Sequence, residues 1–367
     1  MNMNFNHLNM VAAKHRKSEK EYYEAGWESP ANIALIKYWG KTGNQIPLNP
    51  SLSITLSASF TRTVLRATEN KGTKNGLELK YFFEGNEHPA FRLKVLTYLE
   101  KLQDIFPFIK THSLEFDSAN TFPHSAGIAS SASSMSAIAL CLMSLDEQIS
   151  GKRLNVHAFL KKASNIARIG SGSACRSVYG NYVFWGKAAC LPRSGDLFAY
   201  PLPVKIHPDF MTLHDSILVV NQGEKPVSSR AGHQMMDEHP FRKGRIQQVS
   251  LNLKKIFDAL SKGNWDKFSS VVENESFTIH GLMMSSDPGF LLIKPNTILL
   301  IDKINAFREK NKVKMTYTLD AGPNLHVLYP DSDSGPVKEF INNDLAQLCE
   351  NNYVIHDQIG SGPRRIL

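Results

Sequence analysis

Two lysines bracket a pair of aromatic residues near the end of an apolar segment, where residues 32 to 41 read NIALIKYWGK. Lys37 and Lys41 stand where a lysine can be partly buried and act as a point charge for an anion. The same pattern also suits the edge of a strand with two solvated lysines. Ser229 and Arg230, in the segment VSSR, are a weaker signal and taken alone indicate a polar loop.

Small residues and hydroxyls precede a predicted helix in the run PHSAGIASSA, residues 123 to 132. Such a loop lets the backbone approach a ligand closely, and its free amide groups and the helix dipole favour phosphate. The hydroxyls of Ser130 and Ser131 could reach a phosphate oxygen or Mg²⁺. The run lacks the GxxxxGK[ST] pattern, so it is not a Walker A loop. An ordinary serine-capped helix start explains the composition equally well.

A segment rich in glycine and serine leads to an arginine, where residues 168 to 177 read RIGSGSACRS. It offers backbone donors, the hydroxyls of Ser171 and Ser173, and the guanidinium of Arg176, whose planar fork can grip a carboxylate at two points. A glycine turn with a surface arginine is the more frequent meaning of such a run. We expect Cys175 to be a small buried residue rather than a nucleophile.

An aspartate follows a predicted strand in the segment TYTLDAGPN, residues 316 to 324. The Gly-Pro turn would hold Asp320 rigidly at the strand end, which is the placement that a catalytic carboxylate needs. Taken alone, an Asx turn, in which Asp320 caps its own loop, is the more common interpretation.

These segments are far apart in the chain, so a fold must bring them together. Runs of β-branched and aromatic residues predict strands, and apolar residues at helical spacing predict helices. The predicted strands are 32–39, 51–56, 62–67, 77–83, 112–116, 178–185, 217–220, 315–319, 325–328 and 353–356, and the helices are 91–102, 135–145, 154–166, 246–260, 265–279, 298–307 and 337–348. Because strands and helices mix without strict alternation, the fold class is α+β. A proline-rich connection suggests a division into 27–205 and 206–367, after a basic, poorly ordered extension at 1–26.

Composition limits the class of protein. With 367 residues, 42% of them apolar and 21% charged, the chain resembles an ordinary globular protein rather than a disordered or collagen-like one. Its four cysteines form no CxxC pair, which argues against a disulfide framework or zinc ribbon and favours a reducing compartment. No signal-peptide core or membrane-length apolar run occurs, so we expect a soluble, cytoplasmic protein without a membrane partner.

The net charge of +8 allows either a basic surface for nucleic acid or a pocket for a small anionic substrate. The basic residues are scattered apart from a run near the start of the chain, and no nucleic-acid-binding motif is visible. This distribution favours the pocket over nucleic acid.

Taken in order, the four segments and a final IGSGP run resemble diphosphomevalonate decarboxylase, a family of the GHMP kinase superfamily. KYWGK, GSGSACRS and DAGPN are specific to that family, whereas the PxxxGxxSS loop is shared by the superfamily. The resemblance extends from residue 29 to 363. It implies a two-part α+β fold, with a ribosomal-protein-S5-like, ATP-binding N-terminal part and a GHMP-type α/β sandwich as the C-terminal part. It also implies a homodimer.

The resemblance implies ATP-dependent decarboxylation of mevalonate 5-diphosphate to isopentenyl diphosphate, with release of ADP, phosphate and CO₂, in the mevalonate pathway of isoprenoid biosynthesis. It implies that Asp320 lies beside the C3 hydroxyl and orients or deprotonates it. It also implies that Lys37 lies near this aspartate and the transferred phosphoryl group, and that Arg176 holds the substrate carboxylate. It further implies substrate-binding residues, largely for the diphosphate, at Tyr38, Lys41, Arg92, Ser171, Ser173, Ser229 and Arg230. The ATP-phosphate loop matches Gly127, Ser130 and Ser131, with Mg²⁺ near Ser131.

Two alternatives remain open at this point. One is a related GHMP enzyme that takes mevalonate 5-phosphate, as a decarboxylase or a 3-kinase; the presence of both Asp320 and Lys37 argues against a pure kinase. The other is a basic nucleic-acid-binding protein. His124, Ser125 and Pro50 depart from the family pattern. These departures bear on fine specificity and ATP affinity rather than on the reaction class.

Overall fold

The computed structural model describes residues 22–70, 77–123, 128, 130–223 and 229–367, without the side chains of residues 229 and 230. Most of the predicted extension, together with Gly127, His124 and Ser125, lies outside these described residues, as do the side chains of Ser229 and Arg230.

Strands and helices are mixed along the chain, as the α+β prediction requires. In the first half the described elements are β1 (Tyr23–Ile36), β2 (Lys41–Thr42), β3 (Ile46–Pro47), β4 (Ser51–Glu69), β5 (Leu79–Phe83), β6 (Asn86–Glu87), α1 (Pro89–Glu100), β7 (His112–Asn120), α2 (Ser130–Ser150), α3 (Val156–Gly170), β8 (Tyr182–Trp185) and β9 (Tyr200–Pro201). In the second half they are α4 (Pro208–Met211), β10 (His214–Leu218), α5 (Ser229–Gln234), α6 (Arg242–Lys262), α7 (Trp265–Met284), α8 (Pro295–Asn311), β11 (Thr316–Leu319), β12 (Leu325–Tyr329), α9 (Ser334–Phe340), β13 (Val354–Gln358) and β14 (Arg364–Arg365).

The first sheet is built around the long strand β4. Its strands lie in the order β14-β1-β4-β7-β5-β6, and β8 pairs with the first part of β4. Between the two parts β4 bends, and the carboxylate of Asp357 accepts the backbone N–H groups of Ser57, Ala58 and Ser59 at 2.9, 2.8 and 2.7 Å. The bend therefore satisfies its backbone donors with a side chain from β13, in the second half of the chain.

The helix α2 covers the first sheet and is buried along most of its length. Its serines match polar groups on β1: Ser29 donates to Ser136 at 2.6 Å, and the indole of Trp27 donates to Ser144 at 2.9 Å. Alanine and serine predominate on this face, so helix and sheet can pack closely with their polar groups paired.

The second sheet is antiparallel, in the order β11-β12-β10-β13. One apolar core joins it to the first half of the chain, because Ile33 and Leu52 are buried in the same cluster as Ile217 of β10 and Leu328 of β12. The last strand, β14, returns to the first sheet and pairs with β1, Trp27 opposite Arg365. The chain end that we assigned to the C-terminal part thus completes the N-terminal sheet.

Several element boundaries were predicted wrongly. β1 begins at Tyr23, within the predicted extension, and ends at Ile36, so Lys37 to Trp39 leave the sheet. The predicted strands at 51–56 and 62–67 are the two parts of the single strand β4. β8 begins only at Tyr182, because residues Gly172–Val178 wind into 3₁₀ turns. The helix predicted at 337–348 is α9 followed by π and 3₁₀ turns.

Candidate active site

A lysine and an aspartate from opposite ends of the chain form an ion pair. Lys37 follows β1 and Asp320 follows β11, and Nζ of Lys37 lies 2.8 Å from Oδ1 of Asp320. The lysine side chain is 2% exposed and the aspartate 30%, so the carboxylate faces the open side of the pair. The prediction of a solvated strand edge at Lys37 is therefore wrong, and the alternative of a buried lysine is confirmed.

The peptide of Lys37 is held by side chains instead of a strand partner. Its N–H donates to Oε2 of Glu275 at 2.9 Å. Its carbonyl accepts from Nδ2 of Asn49 at 2.9 Å and from Nη2 of Arg245 at 3.0 Å. Because these groups take up both backbone polar atoms, the chain leaves the sheet here without an unsatisfied group.

Asp320 is fixed through its backbone by α7. The N–H of Leu319 donates to Oγ of Ser276 at 2.7 Å. The carbonyl of Asp320 accepts from Nε2 of His280 at 3.0 Å, which places the imidazole proton on that nitrogen. The N–H of Gly322 also donates to this carbonyl, at 2.7 Å. The strand-end placement that the DAGPN segment predicted is confirmed.

Opposing influences set the charge of Lys37. Burial lowers the pKa of Lys37 below its ordinary value; the charge and hydrogen bond of Asp320 and the charge of Glu275 oppose this, whereas Arg176 lowers the pKa further. An ammonium so deeply buried depends on its carboxylate partners to stay protonated.

Arg176 is buried in the 3₁₀ turns that follow α3. Its Nε donates to Oδ1 of Asn32 at 3.2 Å, its Nη1 donates to Oγ of Ser51 at 2.5 Å, and its guanidinium lies 5.9 Å from the ring centre of Trp185. The expectation of a surface arginine is therefore wrong. Within the part of the chain that the structure describes, Nη2 donates no hydrogen bond. This nitrogen is available to a ligand, whereas a two-point grip would require one of the present bonds to be given up.

Tyr38 packs its ring between Trp185 and His233, with ring centres 4.7 and 4.3 Å away. A Cβ at Gly172 would come within 2.7 Å of the Tyr38 hydroxyl, so only glycine allows this approach. Burial, followed by the charges of Lys41 and Arg176, lowers the pKa of His233 to about 3. Its neutral Nδ1 accepts the N–H of Gly40 at 2.9 Å.

The two segments rich in serine meet at one place. Oγ of Ser131, in the first turn of α2, lies 3.4 Å from Oγ of Ser171, which caps α3. The carbonyl of Ser173 accepts from Nδ2 of Asn32 at 3.3 Å, next to Arg176. Cys175 is buried, and burial raises the pKa of its thiol to about 12, which confirms that it is a packing residue.

Hydroxyls at the N-terminus of a long helix fit a nucleotide phosphate and its metal. Ser130 and Ser131 begin the 21-residue helix α2. The described residues contain no group of three or more His, Cys, Asp or Glu side chains that could hold a metal. Mg²⁺ is often held by one or two protein oxygens together with substrate phosphates, so this donor set fits Mg²⁺ bound with ATP.

Lys41 and Arg92, two further residues predicted to bind the substrate, lie in different parts of the first half of the chain. Nζ of Lys41 donates to Oε1 of Gln45 at 2.8 Å, in the turn between β2 and β3. Arg92 is exposed on α1, and its Nε donates to the carbonyl of Leu79 at 2.8 Å, at the edge of the first sheet. The contacts of Arg92 therefore connect it to β5 and not to the Lys37–Asp320 pair.

The sequence interpretation missed the residues that hold the pair. Glu275 and Arg245 are fully buried and form an ion pair of 2.6 Å directly behind Lys37. A signal was present, because Glu275 stands between Val272 and Ile279 on the apolar face of a helix. A glutamate at such a position needs a buried partner.

Comparisons with known proteins identify the family of this chain. The family described as "Diphosphomevalonate decarboxylase-like N-terminal domain" matches residues 29–194, and "Mevalonate 5-diphosphate decarboxylase C-terminal domain" matches residues 216–358. Diphosphomevalonate decarboxylase of Ganoderma lucidum is 32% identical over 337 residues, covering 87% of this chain and 81% of the relative. The bovine relative of the same name is 29% identical over 344 residues, covering 88% and 80%.

Two solved structures have the same fold. One, described as "MDDEF in complex with MVAPP, AMPPCP and Magnesium", superposes with a TM-score of 0.79 at 27% identity, covering 94% of this chain and 99% of the other. The mevalonate diphosphate decarboxylase of Staphylococcus aureus superposes with a TM-score of 0.80 at 25% identity, covering 94% and 98%. The two-part GHMP fold is thereby confirmed. The sequence matches and the shared fold show that this chain belongs to the diphosphomevalonate decarboxylase family.

Proposed function

We propose that Asp320, Lys37 and Arg176 are the groups with which this chain carries out the reaction of its family, the ATP-dependent decarboxylation of mevalonate 5-diphosphate. The observation that carries this proposal is the 2.8 Å ion pair between Lys37 and Asp320, whose carboxylate faces the open side. Residues 283 positions apart in the chain are brought together there as acid and base.

Asp320 accepts the proton of the C3 hydroxyl. A tertiary alcohol is a poor nucleophile towards phosphorus, so a positioned carboxylate helps by removing its proton as the new O–P bond forms. The adjacent ammonium of Lys37 forms the ion pair with Asp320, and its charge favours the negative oxygens of the transferred phosphoryl group.

Arg176 contacts the substrate carboxylate through the nitrogen that the described residues leave available, Nη2. Decarboxylation breaks the bond between the carboxylate carbon and C2, and the electron pair forms the C2–C3 double bond as phosphate leaves C3. The bonds to Asn32 and Ser51 fix the guanidinium, so the carboxylate is held without reorganisation of the protein.

Ser130 and Ser131, with Gly127, would hold the phosphates of ATP, and Ser131 would provide a protein ligand for Mg²⁺. When bound, Mg²⁺ neutralises phosphate charge. The long helix that begins at Ser130 supports this, because amide groups and the dipole at a helix N-terminus favour phosphate.

The diphosphate is bound by Tyr38, Lys41, Ser171, Ser173, Ser229 and Arg230, and Arg92 is the remaining substrate-binding residue that the family resemblance implies. The buried Arg176 and the partly exposed Lys41 support an anion beside the Tyr38 ring, since burial and then the charges of these two cations hold the neighbouring His233 neutral. We further propose that the enzyme is a cytoplasmic homodimer. Among the described residues no helix has the length and apolar character needed to cross a membrane.

The test is a coupled ADP-release assay that compares mevalonate, its 5-phosphate and its 5-diphosphate, with CO₂ trapped in parallel. We expect one CO₂ per ADP with the 5-diphosphate. Preference for the 5-phosphate would replace the proposed substrate by that of a related enzyme, and ADP release without CO₂ would indicate a 3-kinase.

A further inference from the structure

A buried ion pair in the second half of the chain holds the peptide of Lys37 on both sides. Glu275 accepts the Lys37 N–H at 2.9 Å, and Arg245 donates to the Lys37 carbonyl at 3.0 Å. The two side chains bind each other through both oxygens of the carboxylate, with N–O distances of 2.8 and 2.6 Å. Nδ2 of Asn252 donates to Oε1 of Glu275 at 2.7 Å. Glu275 thus has a single, fully constrained orientation.

This clamp acts where the sheet no longer fixes the backbone. Ile36 is the last residue of β1, so the direction in which Lys37 leaves the sheet depends on the groups that bind its own peptide. Two of those groups, Glu275 and Arg245, belong to α7 and α6. The carbonyl of Lys37 has only one further partner among the described residues, Asn49.

The helix α7 also holds the other member of the pair. Ser276 binds the N–H of Leu319, and His280 binds the carbonyl of Asp320. Glu275, Ser276 and His280 therefore fix the backbone on both sides of the Lys37–Asp320 contact from one rigid element. The distance between the two groups is set by α7 as well as by the sheets.

We propose that Glu275, oriented by Arg245, is a positioning residue that aims Lys37 at the carboxylate of Asp320. The inference rests on the proposed function, in which Lys37 and Asp320 act on the substrate. Glu275 itself touches no reacting atom, because its oxygens are taken up by Lys37, Arg245 and Asn252.

The charge of Glu275 has a second effect. The charged and titratable groups whose fields act on Lys37 are Asp320 after β11, Glu275 on α7, Arg176 in the 3₁₀ turns and Asp215 on β10. Removing the negative charge of Glu275 lowers the pKa of Lys37, because burial is then opposed by fewer carboxylates. Turnover that needs the ammonium should then fall at a lower pH than in the unaltered enzyme.

The test compares four variants with the unaltered full chain, of which Lys37→Arg serves only to assign the pH dependence. Glu275→Gln keeps the shape but removes the charge. Arg245→Lys keeps the charges but cannot bind Glu275 and the Lys37 carbonyl together. Glu273→Gln is the matched control: it lies on the same helix, but its carboxylate binds Arg308 on α8 and the hydroxyl of Thr316 at the start of β11 instead of the Lys37 peptide. Each variant is assayed for kcat, for KM of mevalonate 5-diphosphate, for the pH profile of kcat, and for thermal unfolding.

We expect Glu275→Gln to lower kcat roughly 10- to 100-fold with KM within about threefold, because a displaced catalytic group costs rate more than binding. The alkaline limb of its pH profile, which is the fall of kcat at high pH, should move to lower pH. Arg245→Lys should lower kcat with the limb unmoved. Glu273→Gln should keep kcat and the limb even if it unfolds earlier. Lys37→Arg, whose guanidinium does not titrate, should abolish the limb and so assign it to Lys37.

The inference is overturned if Glu275→Gln or, should that variant not fold, Arg245→Lys keeps the kcat of the unaltered enzyme. It is also overturned if the control loses as much kcat as they do, since the effect would then be general to α7. Failure of the proposed function gives a different result, namely that the unaltered enzyme releases no ADP or CO₂ from mevalonate 5-diphosphate.

Discussion

Replacing Asp320 by asparagine removes the proton acceptor while preserving the shape of the side chain. In the structure Oδ1 of Asp320 accepts the Lys37 ammonium at 2.8 Å, and an asparagine oxygen can accept the same bond. The variant should therefore fold, but it can no longer take the proton of the C3 hydroxyl. We expect kcat to fall at least ~10²-fold, the low end of the contribution of general acid–base catalysis.

The effect on stability should be small beside the effect on rate. A hydrogen bond between two charged groups contributes about 1–2 kcal/mol more than one to a neutral acceptor. Asp320 is 30% exposed, so solvent screens part of this difference. We therefore expect the free energy of unfolding to fall by at most about 1–2 kcal/mol, which leaves the protein folded at the assay temperature. The pKa of Lys37 should move further in the direction that burial already gives it.

Asp209→Asn provides the matched control. Asp209 is also 30% exposed and lies 2.6 Å from a lysine, Lys314, but on α4, away from the site. The assay is ADP release at saturating ATP and mevalonate 5-diphosphate, with trapped CO₂ and urea unfolding measured on the same preparations. The control should lose less stability, because Lys314 is 42% exposed and Lys37 is 2% exposed, and it should keep its turnover. Asp320→Asn turnover within about threefold of the unaltered enzyme would remove Asp320 from the role of base.

Three further outcomes are expected. Arg176→Lys should weaken substrate binding and slow CO₂ release, since a lysine cannot keep the bonds to Asn32 and Ser51 and also reach the carboxylate; unchanged KM and CO₂ release would contradict this. Arg230→Leu should raise KM for the 5-diphosphate roughly 10- to 150-fold with kcat largely kept, and less for the 5-phosphate; an equal penalty on both would show that Arg230 does not contact the outer phosphate. Burial lowers the pKa of His233 from 6.5 to about 3, so this side chain is neutral in the folded protein. Below pH 6.5 it takes up a proton when the protein unfolds. The free energy of unfolding should therefore fall as the pH falls from 6.5 towards 3, by up to ~1.4 kcal/mol per pH unit. In urea titrations His233→Asn should lose this dependence, and a slope equal to that of the unaltered protein would assign it to other groups.

Local signals in the sequence predicted what local chemistry determines. The strand before Asp320 and the turn after it were both recognised, because β-branched residues followed by Gly-Pro restrict the backbone within a few residues. The fold class followed from the mixture of patterns, and the family resemblance supplied the two-part architecture. The buried nature of Cys175 was predicted from its residue type.

Burial created by distant contacts could not be predicted in this way. The sequence pattern predicts that Lys37 lies on a strand that continues to Trp39. Periodicity does not show that side chains from α6 and α7 replace the backbone hydrogen bonds of strand pairing at Lys37. The run around Arg176, taken alone, favours a surface arginine for the same reason, since it does not show that Asn32 and Ser51 reach the guanidinium from β1 and β4. The roles assigned to these residues in catalysis stay predictions until the assays are made.

The pairing of β14 with β1 has a consequence for synthesis of the protein. Trp27 and Arg365 lie opposite each other, yet about 340 residues separate them along the chain. At about 5–20 residues per second, a ribosome takes roughly 20–70 s to make that stretch. Throughout this time the outer edge of β1 has no partner from its own chain, and an unpaired strand edge is a template for aggregation. Slow codons between those for β1 and those for β14 lengthen this interval, so they should lower soluble yield more than an equal number of slow codons that precede β1.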